Sequence, residues 1–233
     1  MGSKNRIAKE IIPIITKDLK SDQYYVEPFV GGCNMIDKVN HSLKIGADNN
    51  QYLIAMWKAL QKGWNPPMQV SKIGYDDVKL DFKTNSDKYP DYLKGYVGFI
   101  CSFRSKWWGG YAKANDKNDY IGSASRNVVK QTPNIMDVDF YSGSYDSLLI
   151  PNNSIIYCDP PYANTTKYNK DSFDSIKFWQ WCRDKVKEGH KVFISEYNAP
   201  DDFVCIWEKE ISSNLGNSSK TAIEKLFVHK TLL

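Results

Sequence analysis

Ile155-Ile156-Tyr157-Cys158-Asp159-Pro160-Pro161-Tyr162 is the stretch on which the reading of this chain turns. Its first half is apolar and rich in Ile and Tyr, and Asn152, Asn153 and Ser154 stand before it as turn residues. That pattern reads as a buried parallel strand. The strand must stop at Asp159, because two successive prolines cannot donate to a sheet ladder and hold φ at about −65°. Proline also restricts the residue before it, so Asp159 and Pro160 are both pushed toward extended geometry. A stiff loop at the carboxyl end of a strand is where open α/β sheets bind ligands. This one offers a carboxylate, a backbone carbonyl and an aromatic face. Asp159 and the Pro160 carbonyl can each accept a hydrogen bond from one exocyclic amino group, while Tyr162 stacks on the ring that carries it. The same residues also read as a strand ending in a Pro-Pro turn capped by Asp159, so the rest of the chain must decide.

Composition sets bounds. A chain of 233 residues makes one domain with room for an insert, and it buries a full core. A hydrophobic content of 42% with 25% charged residues is ordinary for a globular protein. The net charge of +4 permits an anionic partner without requiring one. Aromatics reach 14%, which suits stacking surfaces as well as core. The five cysteines (Cys33, Cys101, Cys158, Cys182 and Cys205) are odd in number and widely spaced, with no C-x-x-C pair. They read as free thiols of a reducing compartment, and His41, His190 and His229 are too scattered to suggest a metal centre. No apolar run approaches membrane-spanning length and no signal peptide precedes the first helical pattern, so the expected address is cytoplasmic.

Residues 4–19 place Ile7, Ile11, Ile14 and Ile15 on one helical face, with Pro13 as a kink or break. Tyr24 to Val30 reads as the first strand, Gly31-Gly32 as a tight turn, and Asn34 to Val39 as the start of a helix. Leu43 to Ala47 is a short strand ending at Asp48, and Asn49 to Gln61 a helix with Leu53, Ala55, Met56 and Leu60 inward. Strand, glycine turn, helix, strand and acid make the layout of a nucleotide-binding unit. The glycines allow close approach of the backbone, and the acid takes ribose hydroxyls. Asp48 also reads as a helix N-cap. Residues 63–135 are broken by Pro and Gly and interleave Lys, Tyr and Trp, most densely from Ser102 to Tyr111. Basic residues beside aromatics serve phosphate contacts and base stacking; a solvated surface over a local Trp107–Trp108 core explains them equally. The α/β rhythm returns with a strand at Val138 to Tyr141, the Asp159 strand, a helix at Phe173 to Lys187 and a strand at Lys191 to Tyr197. Phe203 to Ile211 and Ile223 to Val228 follow as an antiparallel pair. The expected fold is α/β: a doubly wound, mostly parallel, seven-stranded sheet with a helical or irregular insert.

Pro28-Phe29-Val30-Gly31-Gly32, Asp48-Asn49-Asn50 and Asp159-Pro160-Pro161-Tyr162, in that order, resemble the Dam-type DNA adenine N6-methyltransferases of the α-arrangement. The Gly2-Ser3-Lys4 start, Ile194-Ser195-Glu196-Tyr197 and Glu224-Lys225-Leu226-Phe227 fit the same family. Two positions depart from it: Cys33 stands where the family usually has a third glycine, and Ser144 precedes Tyr145 where it often has an acid. The resemblance implies a Rossmann-like catalytic domain from residues 1–62 and 136–233, with 63–135 as an inserted target-recognition region. It implies S-adenosylmethionine as methyl donor, lined by Lys4, Phe29, Gly31, Gly32, Tyr145 and Asp159, with Asp48 on its ribose. Asp159, Pro160, Pro161 and Tyr162 would form the catalytic loop around a flipped-out adenine. Arg104, Lys106, Trp107, Trp108 and Tyr111 are expected to face double-stranded DNA. No metal is implied, and the protein partner is a restriction endonuclease or none. A cytosine N4-methyltransferase and a non-catalytic nucleic-acid-binding module of the same fold are the alternatives.

Overall fold

The structure is a computed structural model that describes residues 4–113, 118–161, 173–215 and 218–233. Seven strands form one sheet: β1 (Tyr25–Glu27), β2 (Lys44–Asp48), β3 (Val138–Ser142), β4 (Ile155–Cys158), β5 (Lys191–Glu196), β6 (Phe203–Leu215) and β7 (Ser218–His229). Their spatial order is β3-β2-β1-β4-β5-β7-β6. The first five run parallel, and β7 is antiparallel to both β5 and β6. The chain therefore winds outward from β1 in one direction and from β4 in the other. The strand order reverses between these two, and there the carboxyl ends of adjacent strands open a crevice.

Alternation along the strands assigns each face. Tyr25, Ile155, Tyr157 and Phe193 point into a large cluster shared with helix α1 (Ala8–Ile15) and helix α2 (Gln51–Gln61). Val26, Ile156, Cys158, Val192 and Ile194 point into a second cluster covered by helix α6 (Ser175–Lys187). A side-chain period of two on strands buried on both faces produces this division.

Residues between β2 and β3 add helices α3 (Lys72–Thr84), α4 (Asp91–Phe99) and α5 (Tyr120–Gln131). Helix α4 lies so close to α2 that a Cβ on Gly95 would come within 2.0 Å of the Tyr52 carbonyl oxygen. Tyr75, Val78, Tyr96 and Val97 of these helices join the same cluster as α1 and α2. The insert is thus built onto the sheet's helical layer.

Several expected boundaries move. Strand β1 ends at Glu27 because Pro28 cannot continue the ladder. The helix expected from Asn34 to Val39 is only a 3-10 turn, Ile36–Lys38, following a Cys33 backbone at φ +53°. Pro13 lies inside α1, which runs on for two residues and ends at Ile15, short of Leu19. The closing antiparallel pair is longer than expected, and its ribbon continues past the end of β5: Glu196 pairs with Lys225, while β6 and β7 stay paired to Leu215 and Ser218. All five cysteines are free, with Cys205 exposed. Among the described residues no helix is long and apolar enough to cross a membrane, and no cluster of His, Cys, Asp and Glu is arranged to hold a metal.

Candidate active site

The turn after β1 is braced from three sides. Gly31 adopts φ +47° and Cys33 φ +53°, both left-handed, so the residue in the family's third glycine position carries a conformation that glycine adopts freely. The Gly31 amide donates to Asp48 Oδ2 at 3.1 Å, and Trp57 Nε1 of α2 donates to the Gly31 carbonyl at 3.0 Å. Gln131 Nε2, at the end of α5, donates to the carbonyls of Gly32 (3.0 Å) and Cys33 (2.7 Å). The insert's last helix therefore fixes the glycine turn.

Asp48 ends β2. Besides Gly31, it receives the Asn50 amide on Oδ1 at 2.8 Å. Burial raises its pKa, and the two amides oppose that shift. The N-cap of α2 is Asn50, whose Oδ1 accepts from the Leu53 amide at 3.1 Å. Asp48 is thus not the cap, and each of its oxygens keeps a lone pair for a further donor. Beside it, Ala47, Ser142, Gly143, Ser144, Ser147 and Leu148 line a cavity of about 300 Å³ where β2 and β3 end. An acid with spare acceptors, a left-handed glycine turn and an adjoining mixed polar and apolar cavity suit a nucleoside with a polar tail. The residues fit S-adenosylmethionine.

Phe29 and Tyr145 meet in one aromatic cluster, with ring centroids 5.2 Å apart and Phe178 5.7 Å from Phe29. Burial, and then the neighbouring Asp146, push the Tyr145 hydroxyl up to about 12.

Asp159 follows β4 between the ends of β1 and β5. Pro160 is buried and Pro161 exposed, while Tyr162 lies outside the described residues. Lys4 comes from a 3-10 turn, Lys4–Arg6, ahead of α1, and its ammonium lies 3.4 Å from Asp159 Oδ1. It also donates to Glu224 Oε2 on β7. Burial pushes the Asp159 carboxyl up to about 6, Lys4 opposes this, and Glu224 and Glu196 add to it. Beneath it Glu27 is buried, accepts from the Tyr25 hydroxyl at 2.8 Å, and is held well above the usual carboxylate range by burial and the nearby Asp159 and Asp37. Tyr157 and Ser195 share a buried hydrogen bond of 2.8 Å between their hydroxyls. Asp159 and Glu224 thus share one ammonium, with Glu196 and Glu27 near Asp159.

The insert residues divide. Arg104 and Lys106 are exposed, on a tight loop bridged between Ser102 and Tyr111, and the Arg104 guanidinium sits 5.2 Å over the Phe103 ring. Trp107, Trp108 and Tyr111, expected to face DNA, are each half-buried against neighbouring groups. Trp107 stacks on Tyr52 at 5.6 Å and packs on Phe99 at 4.7 Å, filling the space above Gly98, where a Cβ would meet it at 2.2 Å. Trp108 packs on Tyr75 and Phe82, and the Tyr111 hydroxyl donates to the Val70 carbonyl at 2.7 Å. These rings pack against the large cluster shared with α1 and α2.

No role was assigned from sequence to Gln131, Glu27 or the Tyr157–Ser195 pair, and none to Glu224 beyond its fit to a motif. Gln131 and Glu224 reach the site from about 100 and 65 residues away from the residues they serve, and no local pattern marks such contacts.

The family model of the D12 class N6 adenine-specific DNA methyltransferases matches residues 1–97 and 109–223, leaving out the loop with Arg104 and Lys106. The retron Ec67 DNA adenine methylase of Escherichia coli is 23% identical, over 83% of this chain and 74% of that protein. The type II methyltransferase M.MjaIII of Methanocaldococcus jannaschii is also 23% identical, over 89% and 86%. The DNA adenine methylase of Escherichia coli K12 is 27% identical, over 68% and 65%. A solved structure, that of SMU.472 complexed with SAH, is similar at TM-score 0.36 and 12% identity, over 98% of this chain and 52% of that one. With the family model covering nearly all of the sequence, the chain belongs to the D12 class of N6 adenine-specific DNA methyltransferases.

Proposed function

We propose that Asp159 and the Pro160 carbonyl hold the target amine in this reaction, and that the Gly31–Gly32 turn, Asp48 and the cavity beside it hold the donor. The family fixes the reaction itself: a methyl group passes from S-adenosylmethionine to N6 of adenine in DNA. One observation carries the assignment of residues. Asp159 is the acid at the strand-order reversal, 3.4 Å from a buried ammonium, with a carboxyl poised near neutral pH.

When bound, S-adenosylmethionine supplies an electrophilic methyl on a sulfonium. The adenine amine is a poor nucleophile because its lone pair is delocalised into the ring. Asp159 and the Pro160 carbonyl each accept one of its N–H bonds, draw the nitrogen toward pyramidal geometry, and stabilise the positive charge that develops on it. The proton that the nitrogen sheds has Asp159, at about 6, as its first acceptor. Tyr162 stacks on the base, which must leave the duplex at a cost of a few kcal/mol. Residues 63–135 act as the recognition region, with Arg104 and Lys106 as phosphate contacts on double-stranded DNA. The reaction needs no restriction endonuclease, so such a partner is not part of this reading.

The test is to incubate the purified protein with unmethylated duplex DNA and methyl-labelled S-adenosylmethionine, digest the DNA to nucleosides, and identify the labelled one by mass. N6-methyldeoxyadenosine is expected. Label on N4 of deoxycytidine, or donor binding without label in DNA, overturns the reading.

A further inference from the structure

We infer that Glu224 is a positioning residue for methyl transfer: it holds the Lys4 ammonium beside Asp159. The inference rests on the reading of Asp159 as the acceptor for the target amine. Lys4 and Glu224 lie 220 residues apart, on the 3-10 turn before α1 and on β7. Neither belongs to the Asp-Pro-Pro-Tyr loop. The Lys4 side chain is 7% exposed and that of Glu224 17%, so their pair is shielded from solvent. The backbone fixes each end. Ile7, Ala8, Ile11 and Ile15 are buried and anchor α1, while Glu224 precedes Lys225, which is paired to Glu196 at the end of β5.

The ammonium is shared unequally. It donates to Glu224 and sits 3.4 Å from Asp159, so Glu224 sets where the cation stands and Asp159 receives its field. Among the described residues, the charged and titratable groups facing Asp159 are Lys4, Glu224 and Glu196, with Glu27, Tyr157 and Tyr197 close behind. Lys4 is the cation among them. Without Glu224 the ammonium closes on Asp159 and one repelling carboxylate is gone, so the acceptor takes up its proton only at lower pH; without Lys4 the opposite holds.

The experiment measures single-turnover methylation of duplex DNA at saturating donor from pH 5 to 9 for the parent, Glu224→Ala, Glu224→Gln and Lys4→Met. Lys4→Met is expected to move the acid limb of the rate profile upward by at least about one pH unit, about tenfold in rate on that limb, and Glu224→Ala to move it downward. Glu224→Gln keeps an acceptor for the ammonium and should leave the limb at or below the parent's position. Donor affinity by calorimetry should stay within about threefold in all of them. If Glu224→Ala fails to fold, Lys4→Met against Glu224→Gln carries the same contrast. Superimposable pH profiles, or an upward shift in Glu224→Ala, overturn the inference. A parent that methylates no adenine overturns instead the functional reading beneath it.

Discussion

Asp159→Asn should make the protein more stable while removing its activity, and the gain should depend on pH. The Asp159 carboxyl titrates at about 6 in the fold against an ordinary 3.8. The folded state therefore binds the extra proton between these two values, and stability is lost as pH rises through that window. Above it, keeping Asp159 ionised in the crevice costs at most about 3 kcal/mol, at 1.36 kcal/mol per unit. At pH 5 the two titration curves leave a cost of about 1.6 kcal/mol. The amide is close to the same shape and carries no charge. Lys4 retains Glu224 as its partner, so the substitution orphans no ammonium. Urea unfolding of both proteins at pH 5 and pH 8 should give Asp159→Asn the advantage at both, larger by about 1.4 kcal/mol at pH 8. An equal difference at the two pH values, or a loss of stability at pH 8, would refute the argument that burial strains this carboxylate.

Other perturbations test other parts of the account. Asp48→Ala should weaken donor binding at least about tenfold, about 1.4 kcal/mol by calorimetry, with duplex affinity unchanged; unchanged donor affinity would reduce Asp48 to a brace for the Gly31 and Asn50 amides. Gly95→Ala gains about 1 kcal/mol in helix propensity, but its Cβ would stand 2.0 Å from the Tyr52 carbonyl oxygen. The clash should win, with a net loss of about 2 kcal/mol or more in a denaturant melt. Lys106→Ala and Arg104→Ala should each flatten the log–log salt dependence of duplex binding by about 0.9 with no change in melting temperature. A salt slope equal to that of the parent in both would move the phosphate contacts elsewhere.

The sheet was legible because its signals are local. A strand buried on both faces is a short apolar run, and Asp159-Pro160-Pro161 ends one because proline cannot donate to the ladder. The Gly31–Gly32 turn and Asp48 were legible as a pair because their separation is set by one crossover, and the Gly31 amide indeed donates to Asp48. What local pattern cannot carry is which way a side chain turns. Trp107 and Trp108 read equally as stacking platforms or as core, and no local pattern shows that Trp107 fills the space above Gly98. Cys33 read as a defect in the glycine loop, yet it takes the left-handed conformation that its place demands. Lys4 is expected along the donor, and no local pattern shows that its buried ammonium lies between Asp159 and Glu224. That position depends on α1 docking against a strand from the other end of the chain. The 3-10 turn at Ile36–Lys38 was mistaken for a helix because its composition is compatible with either.

The central claim is that Asp159 accepts the hydrogen bonds of the target amine. Single-turnover transfer of labelled methyl to adenine by Asp159→Ala, at donor and duplex concentrations shown by calorimetry to saturate both sites, tests it most directly. The account predicts a rate constant lower by at least about a hundredfold, on the order of 3 kcal/mol in the barrier, with donor affinity within about threefold of the parent. A rate constant near that of the parent at full saturation would contradict it.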